Sequence, residues 1–322
     1  MSSALTTFPA SIRMMPVDQA RGLILNGVTS NLTRYAHQVN YPVLLGSHPV
    51  LFCGEYHSDL GAKHDLIRNM PLLRQCGVTH LGMEMFFNDD GIQAELDTYF
   101  ERRTEETFAP IRAALYYYGN QYVCTPDYER LVATAVENGV RVVGIDSHPS
   151  NRGLANEAWA DKITEILSAD AAARMVVYGG TMHMGYHPFA GELIDGEYDP
   201  VNLILGRRGV FGTVIRYVGG THLDDAESRY DQVTQAVLGN RMGTHRFMLA
   251  LGRPKPEDLD TIRASHFDHP WPDIFVHTPL HESPPVYDWD HRGINRRVDL
   301  GRLGLPDDAY WENRWRRFLQ VG

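Results

Sequence analysis

Two copies of one short pattern, Gly-x-x-His, are the part of this sequence best suited to chemistry. Gly54–His57 follows the apolar run Val50–Cys53, and Gly180–His183 follows the apolar run Met175–Tyr178. A glycine lets the chain turn sharply where a buried strand ends, and open α/β sheets bind ligands beyond the carboxyl ends of their strands. Both imidazoles are therefore predicted at one rim, where two histidines can act as an acid–base pair or as metal ligands.

Two carboxylates accompany these histidines. Glu55 lies inside the first Gly-x-x-His pattern, and Glu84 lies in another apolar run, His80–Phe86. A carboxylate in an apolar strand is costly to bury unless a charged partner, a metal or a raised pKa compensates it. Such compensation is typical of active sites, although an ion pair to an arginine or a helix-capping bond would also satisfy Glu84.

Two mechanisms are open for these residues. With a divalent metal such as zinc or manganese, His57, Glu84 and His183 would form a His₂–carboxylate set with a free position for water. Without a metal, His57 would be the general base, and Glu55 or Glu84 would orient it. In either case the catalytic candidates are Glu55, His57, Glu84 and His183.

Three further polar residues are predicted to bind substrate at the same rim. Asp146 and His148 follow the apolar run Val140–Ile145, and His64 falls about two helical turns after His57. Structural roles are equally open, because Asp146 can cap the next helix, His148 precedes a proline in a turn, and His64 can face solvent.

An aromatic-rich helical region, residues 88–125, supplies another candidate. It is expected to form a helical cap over the strand ends, with Tyr116 in contact with substrate; alternatively, its aromatic residues pack into the core. His187 lies four residues after His183 and would share a helix face with it if that stretch were helical. Tyr116 and His187 therefore complete the substrate-binding candidates.

Strand and helix signals alternate along the chain. Between the apolar runs, helices are predicted over Lys63–Cys76, Asp127–Asn138 and Asn156–Ser168, and the first two end at Gly77 and Gly139. This order predicts an α/β fold with a mostly parallel central sheet flanked by helices, a helical insertion and a long irregular C-terminal segment.

The 322 residues are expected to form one domain. Its core spans about 45–220, with the cap at about 88–125 and a C-terminal wrap at about 221–322. Val201–Leu205 and Val210–Val218 are predicted as further strands, the second as a candidate antiparallel edge. Ile274–Val276 is predicted as a short strand inside the wrap.

Composition narrows the functional class. The net charge of −10 argues against nucleic acid as a partner, and 43% hydrophobic residues argue against disorder. Three cysteines without C-x-x-C spacing suit a reducing compartment. Without a signal peptide or a long apolar stretch, we expect a cytoplasmic protein with a small-molecule substrate and no membrane contact.

Several common enzyme motifs do not occur in the sequence. A G-x-S-x-G elbow is missing, which disfavours the common serine hydrolases of α/β type. G-x-G-x-x-G and P-loop patterns are missing as well. Nicotinamide and nucleotide triphosphate chemistry therefore have no support in the sequence.

The paired Gly-x-x-His patterns, with Glu84 between them in Gly82-x-Glu84-x-Phe86, resemble the erythromycin esterase, ChaN and Tiki group of α/β proteins. The resemblance covers about Val50–Pro188, under half of the chain. That group includes esterases that open macrolactones, metal-dependent membrane proteases and haem-binding uptake lipoproteins. The resemblance therefore implies a fold and a His/Glu site more firmly than it implies a reaction.

The absence of a lipoprotein signal and of a membrane anchor separates this chain from the haem-uptake and protease branches. It favours a soluble small-molecule hydrolase, esterase- or lactonase-like, in a biosynthetic or resistance pathway. Two alternatives stay open. One is a haem-binding protein that uses the same histidines or Tyr116–Tyr118 as axial ligands. The other is a lyase or cyclase of natural-product biosynthesis on the same fold.

Overall fold

The computed structural model describes residues 40–46, 48–55, 57, 60–88, 91–119, 125–147, 155–186, 199–219, 247–250 and 272–278. In these residues seven strands form one sheet. The strands are β1 Val50–Glu55, β2 His80–Phe87, β3 Arg141–Asp146, β4 Met175–Gly180, β5 Gly212–Gly219, β6 Phe247–Ala250 and β7 Ile274–Thr278. Their spatial order is β3-β2-β4-β1-β5-β7-β6.

The sheet is parallel except at one edge. Every described pairing is parallel apart from β6 with β7, which is antiparallel. β1 and β4 are buried at every residue, which is why they read as continuous apolar runs in the sequence. The predicted α/β fold with a mostly parallel sheet is confirmed.

Helices connect the strands and cover both faces of the sheet. They are α1 Tyr41–Leu45, α2 Leu60–Gln75, α3 Ile92–Arg102, α4 Glu105–Gly119, α5 Thr125–Glu137, α6 Ala155–Ala169 and α7 Val201–Arg207, and a 3₁₀ turn spans Thr181–His183. Gly77 and Gly139, which follow α2 and α5, have φ of +91° and +70°. Both are left-handed positions that favour glycine, as the sequence predicted.

Two hydrophobic clusters divide the core between the faces. On one face α2, α3, α4 and α5 pack against the sheet, through residues such as Leu66, Leu96 and Leu131. On the other face α6 and α7 pack against it, through residues such as Trp159 and Leu205. None of the described helices combines the length and the apolar character needed to span a bilayer.

The structure corrects two predicted strands. Val201–Leu205 lies in helix α7, where Val201, Ile204 and Leu205 are buried. Their spacing fits a helix face as well as a short buried strand, so the apolar run alone could not decide between them. β5 is paired in parallel with both β1 and β7. The prediction that β5 is an antiparallel edge strand is therefore wrong. The antiparallel edge strand is β6.

The aromatic region and the C-terminal segment also differ from expectation. Tyr99 and Phe108, on α3 and α4, are buried in the core cluster rather than exposed over the strand ends. The alternative of core packing therefore holds for these two rings, whereas the Tyr116 side chain lies outside the described part of the chain. In the segment 221–322, β6 and β7 extend the central sheet, so this segment is more than a surface wrap.

Candidate active site

Four neighbouring strands bring the predicted residues to one edge of the sheet. β3, β2, β4 and β1 are consecutive in the strand order. At their carboxyl ends lie Asp146, Glu84, the turn that carries His183, and Glu55 followed by His57. Because parallel strands share one carboxyl edge, residues far apart in sequence meet there.

A bulge in β2 directs Glu84 into this edge. Met83 pairs with Gly144 and Phe87 with Asp146, so β2 places residues 84–86 where β3 places residue 145. Bulges of this kind re-aim a side chain and are frequent beside active sites. Glu84 therefore leaves the regular ladder and points at the end of β4.

Glycines in β4 make room for Glu84 and its neighbours. A Cβ on Gly179 would lie 2.6 Å from Oε2 of Glu84 and 2.6 Å from a ring carbon of Trp159. A Cβ on Gly180 would lie 3.3 Å from Nε2 of His57. Gly180 itself has extended backbone angles, φ −60° and ψ 142°. Close approach, rather than the sharp turn expected from the sequence, is therefore the reason for glycine in the second Gly-x-x-His pattern.

A buried network orients His57 through its Nδ1 atom. Oε1 of Glu55 lies 3.3 Å from Nδ1 of His57 and accepts a 2.5 Å hydrogen bond from the Tyr128 hydroxyl. Oε2 of Glu55 accepts a 2.7 Å bond from Nζ of Lys63 and a further bond from the Tyr178 hydroxyl. Glu55 is thus held by three donors while it faces the imidazole.

Lys63 connects this network to the backbone of His57. Its Nζ donates to the carbonyl oxygen of His57 at 2.8 Å and lies 4.3 Å from the centre of the Tyr128 ring. Lys63 is fully buried, so its charge needs a carboxylate partner. With a carboxylate at Nδ1, His57 favours the tautomer that carries its hydrogen on that nitrogen.

Glu84 lies between the two histidines. Its Oε1 is 3.7 Å from Nε2 of His57 and 3.4 Å from Nε2 of His183, and its Oε2 accepts a hydrogen bond from the backbone N–H of Gly180. Burial raises the pKa of Glu84, but the facing imidazoles and this N–H outweigh it and lower the pKa to about 2. The charge that the sequence required to be compensated is therefore met by two imidazoles.

His183 has a different set of neighbours. Its Nδ1 lies 2.6 Å from Oδ1 of Asn156, and its ring stacks on Trp159 with the centroids 4.6 Å apart. Burial lowers the pKa of His183, but the Glu84 carboxylate, with a smaller contribution from Asp146, raises it above the ordinary value. His183 and Glu84 therefore form a pair in which the carboxylate favours the protonated imidazole.

Asp146 is a third carboxyl group at this edge. It accepts a 2.8 Å hydrogen bond from the indole N–H of Trp159. Burial, followed by the nearby charge of Glu84, raises the pKa of Asp146 to about 7. Asp146 therefore titrates near neutral pH, whereas Glu84 stays ionised.

The remaining substrate-binding candidates are less well placed or lie outside the described residues. His64 forms its own pair with Asp127, at 2.7 Å between Nε2 and Oδ1, where α2 and α5 begin. About a fifth of its side chain is exposed. His148, His187 and the side chain of Tyr116 fall outside the described part of the chain, so these three stay predictions.

The contacts of the described residues do not fit a resident metal. The side chains of His57, Glu84 and His183 do converge, but both oxygens of Glu84 are engaged by imidazoles or by a backbone N–H. Within the described ranges, no group of three or more His, Cys, Asp or Glu side chains is arranged to hold a metal ion. The alternative of haem binding stays a prediction.

Five supporting residues were not singled out from the sequence: Lys63, Tyr128, Asn156, Trp159 and Tyr178. For one of them, Lys63, the sequence contains a pattern that could have predicted its burial. Lys63 precedes Leu66 and Met70 at helical spacing, and both of these are fully buried. A lysine in line with an apolar helix face must find a buried partner, and Glu55, at the end of the preceding buried strand, is a carboxylate that can supply it.

Comparisons with known proteins leave the family open. No family model matches the chain, and no curated protein matches it. Among solved structures, a Bacillus cereus protein is 12% identical with a TM-score of 0.48, over 80% of this chain and 97% of that one. The type III effector HopBA1 is 17% identical with a TM-score of 0.37, over 56% of this chain and 79% of that one.

A third solved structure is RRSP, a MARTX toxin effector domain from Vibrio vulnificus. It is 21% identical with a TM-score of 0.42, and the match covers 56% of this chain but only 36% of that one. The chain thus matches about a third of that structure's length. At these identities and TM-scores, none of the three similarities assigns a family or a function.

Proposed function

We propose that this protein is a hydrolase of small esters or lactones, in which the His57–Glu55 pair activates water. The observation that carries the proposal is the different use of the two nitrogens of His57. Nδ1 faces the buried carboxylate of Glu55, Nε2 lies 3.7 Å from the second carboxylate, Glu84, and 16% of the side chain is exposed. A histidine aligned in this way is suited to general base catalysis.

The reaction follows from this alignment. A water O–H bond breaks as its proton moves to Nε2 of His57, and the resulting hydroxide adds to the carbonyl carbon. The bond from that carbon to the leaving oxygen then breaks. Glu55 stabilises the imidazolium formed on His57, because its carboxylate already lies at Nδ1.

Glu84 supports the same step from the other side. With a pKa of about 2 it remains a carboxylate at neutral pH, 3.7 Å from the nitrogen that receives the proton. A carboxylate placed there stabilises the positive charge that develops on the imidazole during the proton transfer. The motif resemblance to the erythromycin esterase group agrees with ester or lactone substrates and forms part of the proposal.

The test is isotopic and uses one active-site variant with one matched control. Purified protein is incubated with a panel of aryl esters, alkyl esters and lactones in ¹⁸O-labelled water. We expect one ¹⁸O atom in the acid product, and His57→Gln should lower kcat/KM on the order of 10²-fold or more. Lyase or cyclase chemistry would give products without the label.

The control is His80→Gln. His80 begins β2, at the opposite edge of the sheet from Glu84, and its Nδ1 is bonded to the hydroxyl of Thr79 at 2.8 Å. This variant should keep the wild-type rate. Absence of turnover in the wild type, or an unchanged rate in a folded His57→Gln variant, would contradict the proposed function.

A further inference from the structure

Helix α6 forms a cradle for His183. Asn156 and Trp159 are three residues apart and therefore share one helix face. Asn156 contacts Nδ1 of His183 at 2.6 Å, and Trp159 supports the ring in a stack whose planes differ by 24°. Asn156 and Trp159 are both buried. They fix the orientation of the His183 ring, Asn156 from its edge and Trp159 from its face.

The amide of Asn156 has one orientation that satisfies its neighbours. Its Nδ2 donates to the carbonyl oxygen of Asp199 at 2.9 Å. Oδ1 is therefore the atom presented to His183, and it accepts a hydrogen bond from Nδ1–H. Since an amide oxygen does not take up the proton, the transferable proton of the His183 imidazolium is the one on Nε2.

The partners of the two histidines thus differ at Nδ1. His57 has a carboxylate there, which stabilises a proton gained at Nε2, whereas His183 has a neutral amide. The charged or titratable groups that face His183 are Glu84 from β2, Asp146 from β3 and His57. Glu84 favours the protonated form of His183, and Asn156 holds the Nδ1 proton, so the proton that can leave is the one on Nε2.

We propose that Asn156 is a positioning residue that holds His183 as the proton donor to the leaving group, with Trp159 as the supporting platform. This inference rests on the proposed hydrolysis. As the bond from carbon to the leaving oxygen breaks, the Nε2–H proton of His183 moves to that oxygen and an alcohol departs. His57 then releases its proton to water and His183 regains one, since both imidazoles are 16% exposed.

Leaving-group dependence tests this role. A phenolate departs without being protonated, whereas an alkoxide requires a proton donor, so matched aryl and alkyl esters of one acid separate the two cases. Asn156→Leu should lower kcat for the alkyl ester by roughly 10- to 100-fold, in the range of lost supporting contacts. The same variant should change kcat for the aryl ester by less than about threefold.

Two further variants separate positioning from folding. Asn156→Asp replaces the neutral amide with a carboxylate and removes the donor to Asp199, so the alkyl-ester rate should stay below that of the wild type while the aryl-ester rate changes by less than about threefold. Asn69→Leu removes an amide whose bonds go to Asp65 on the same helix, and it should leave both rates unchanged. Thermal melts by circular dichroism identify the folded fraction, to which all rates are normalised.

The outcomes distinguish this inference from the proposed function. Equal losses on both esters, or no loss on either, would overturn the role of Asn156 while ester hydrolysis by the wild type would still stand. If the wild type hydrolysed neither ester, the proposed function would fail and the inference would fail with it.

Discussion

Two buried carboxylates, Glu55 and Asp65, lie close together along the chain and belong to different hydrogen-bond networks. Each accepts hydrogen bonds from two tyrosine hydroxyls: Tyr128 and Tyr178 for Glu55, and Tyr41 and Tyr217 for Asp65. Both carboxylates are almost wholly buried, at 1% and 0% exposure. The donor chemistry around the two groups is therefore similar.

The difference lies in where each network ends. The Glu55 network continues to His57, whose imidazole is partly exposed at the carboxyl edge of the sheet. The described contacts of Asp65 include Tyr41 and Tyr217, which are fully buried, and the amide of Asn69. Burial, and the Asp65 charge, raise the pKa of Tyr41 well above its usual range, so its hydroxyl remains a donor. Of the two carboxylates, Glu55 is therefore the one that contacts a partly exposed histidine.

The largest expected effect separates the two carboxylates by activity. Glu55→Gln removes the charge that stabilises the His57 imidazolium, so we expect kcat/KM per folded molecule to fall on the order of 10²- to 10⁴-fold. Asp65→Asn should lower the melting temperature and leave kcat/KM per folded molecule unchanged. Equal activity losses in the two variants would remove the distinction between the networks.

Lys63 provides the next test, because it is a fully buried cation bonded to Glu55. Lys63→Met leaves Glu55 buried without its charged partner, and removal of one member of a buried ion pair typically costs about 3–5 kcal/mol. The double variant Lys63→Met/Glu55→Gln should recover much of this loss in urea unfolding but none of the activity. If the single variant were as stable as the wild type, Lys63 would not compensate Glu55.

A smaller effect concerns Asp146, a carboxyl group whose described contacts include no hydrogen bond from a tyrosine hydroxyl. Its pKa is raised from 3.8 to about 7 in the folded protein. The folded state therefore binds this proton more tightly than the unfolded state, and its stabilising effect is complete below pH 3.8 and is lost as the pH rises to about 7. Asp146→Asn should remove this part of the pH dependence of the unfolding free energy. An identical pH dependence in both proteins would contradict the raised pKa.

Much of the fold and the centre of the site were accessible from the sequence. The runs that became β1 and β4 are buried along their whole length, so hydrophobicity alone located them. Because each run is followed by a polar pattern at its carboxyl end, His57 and His183 could be placed at one edge. Glu84 could be predicted to have compensated charge because it interrupts an apolar strand.

The features that could not be predicted from the sequence depend on how distant segments pack together. The bulge that aims Glu84 arises from the register between β2 and β3, which no local pattern encodes. Asn156 and Trp159 are ordinary residues of an amphipathic helix until the strand order brings His183 to them. Val201–Leu205 fits a short strand or a buried helix equally well, and only its packing against the sheet made it α7.

The most direct test of the central claim is a double-mutant cycle on Glu55 and His57. If Glu55 acts through His57, the variant Glu55→Gln/His57→Gln should hydrolyse esters no more slowly than His57→Gln alone, because residues that act as a unit show strongly non-additive losses. Single and double variants are compared by kcat/KM per folded molecule. Losses that multiply across the cycle would show that the two residues act independently and would contradict the proposed dyad.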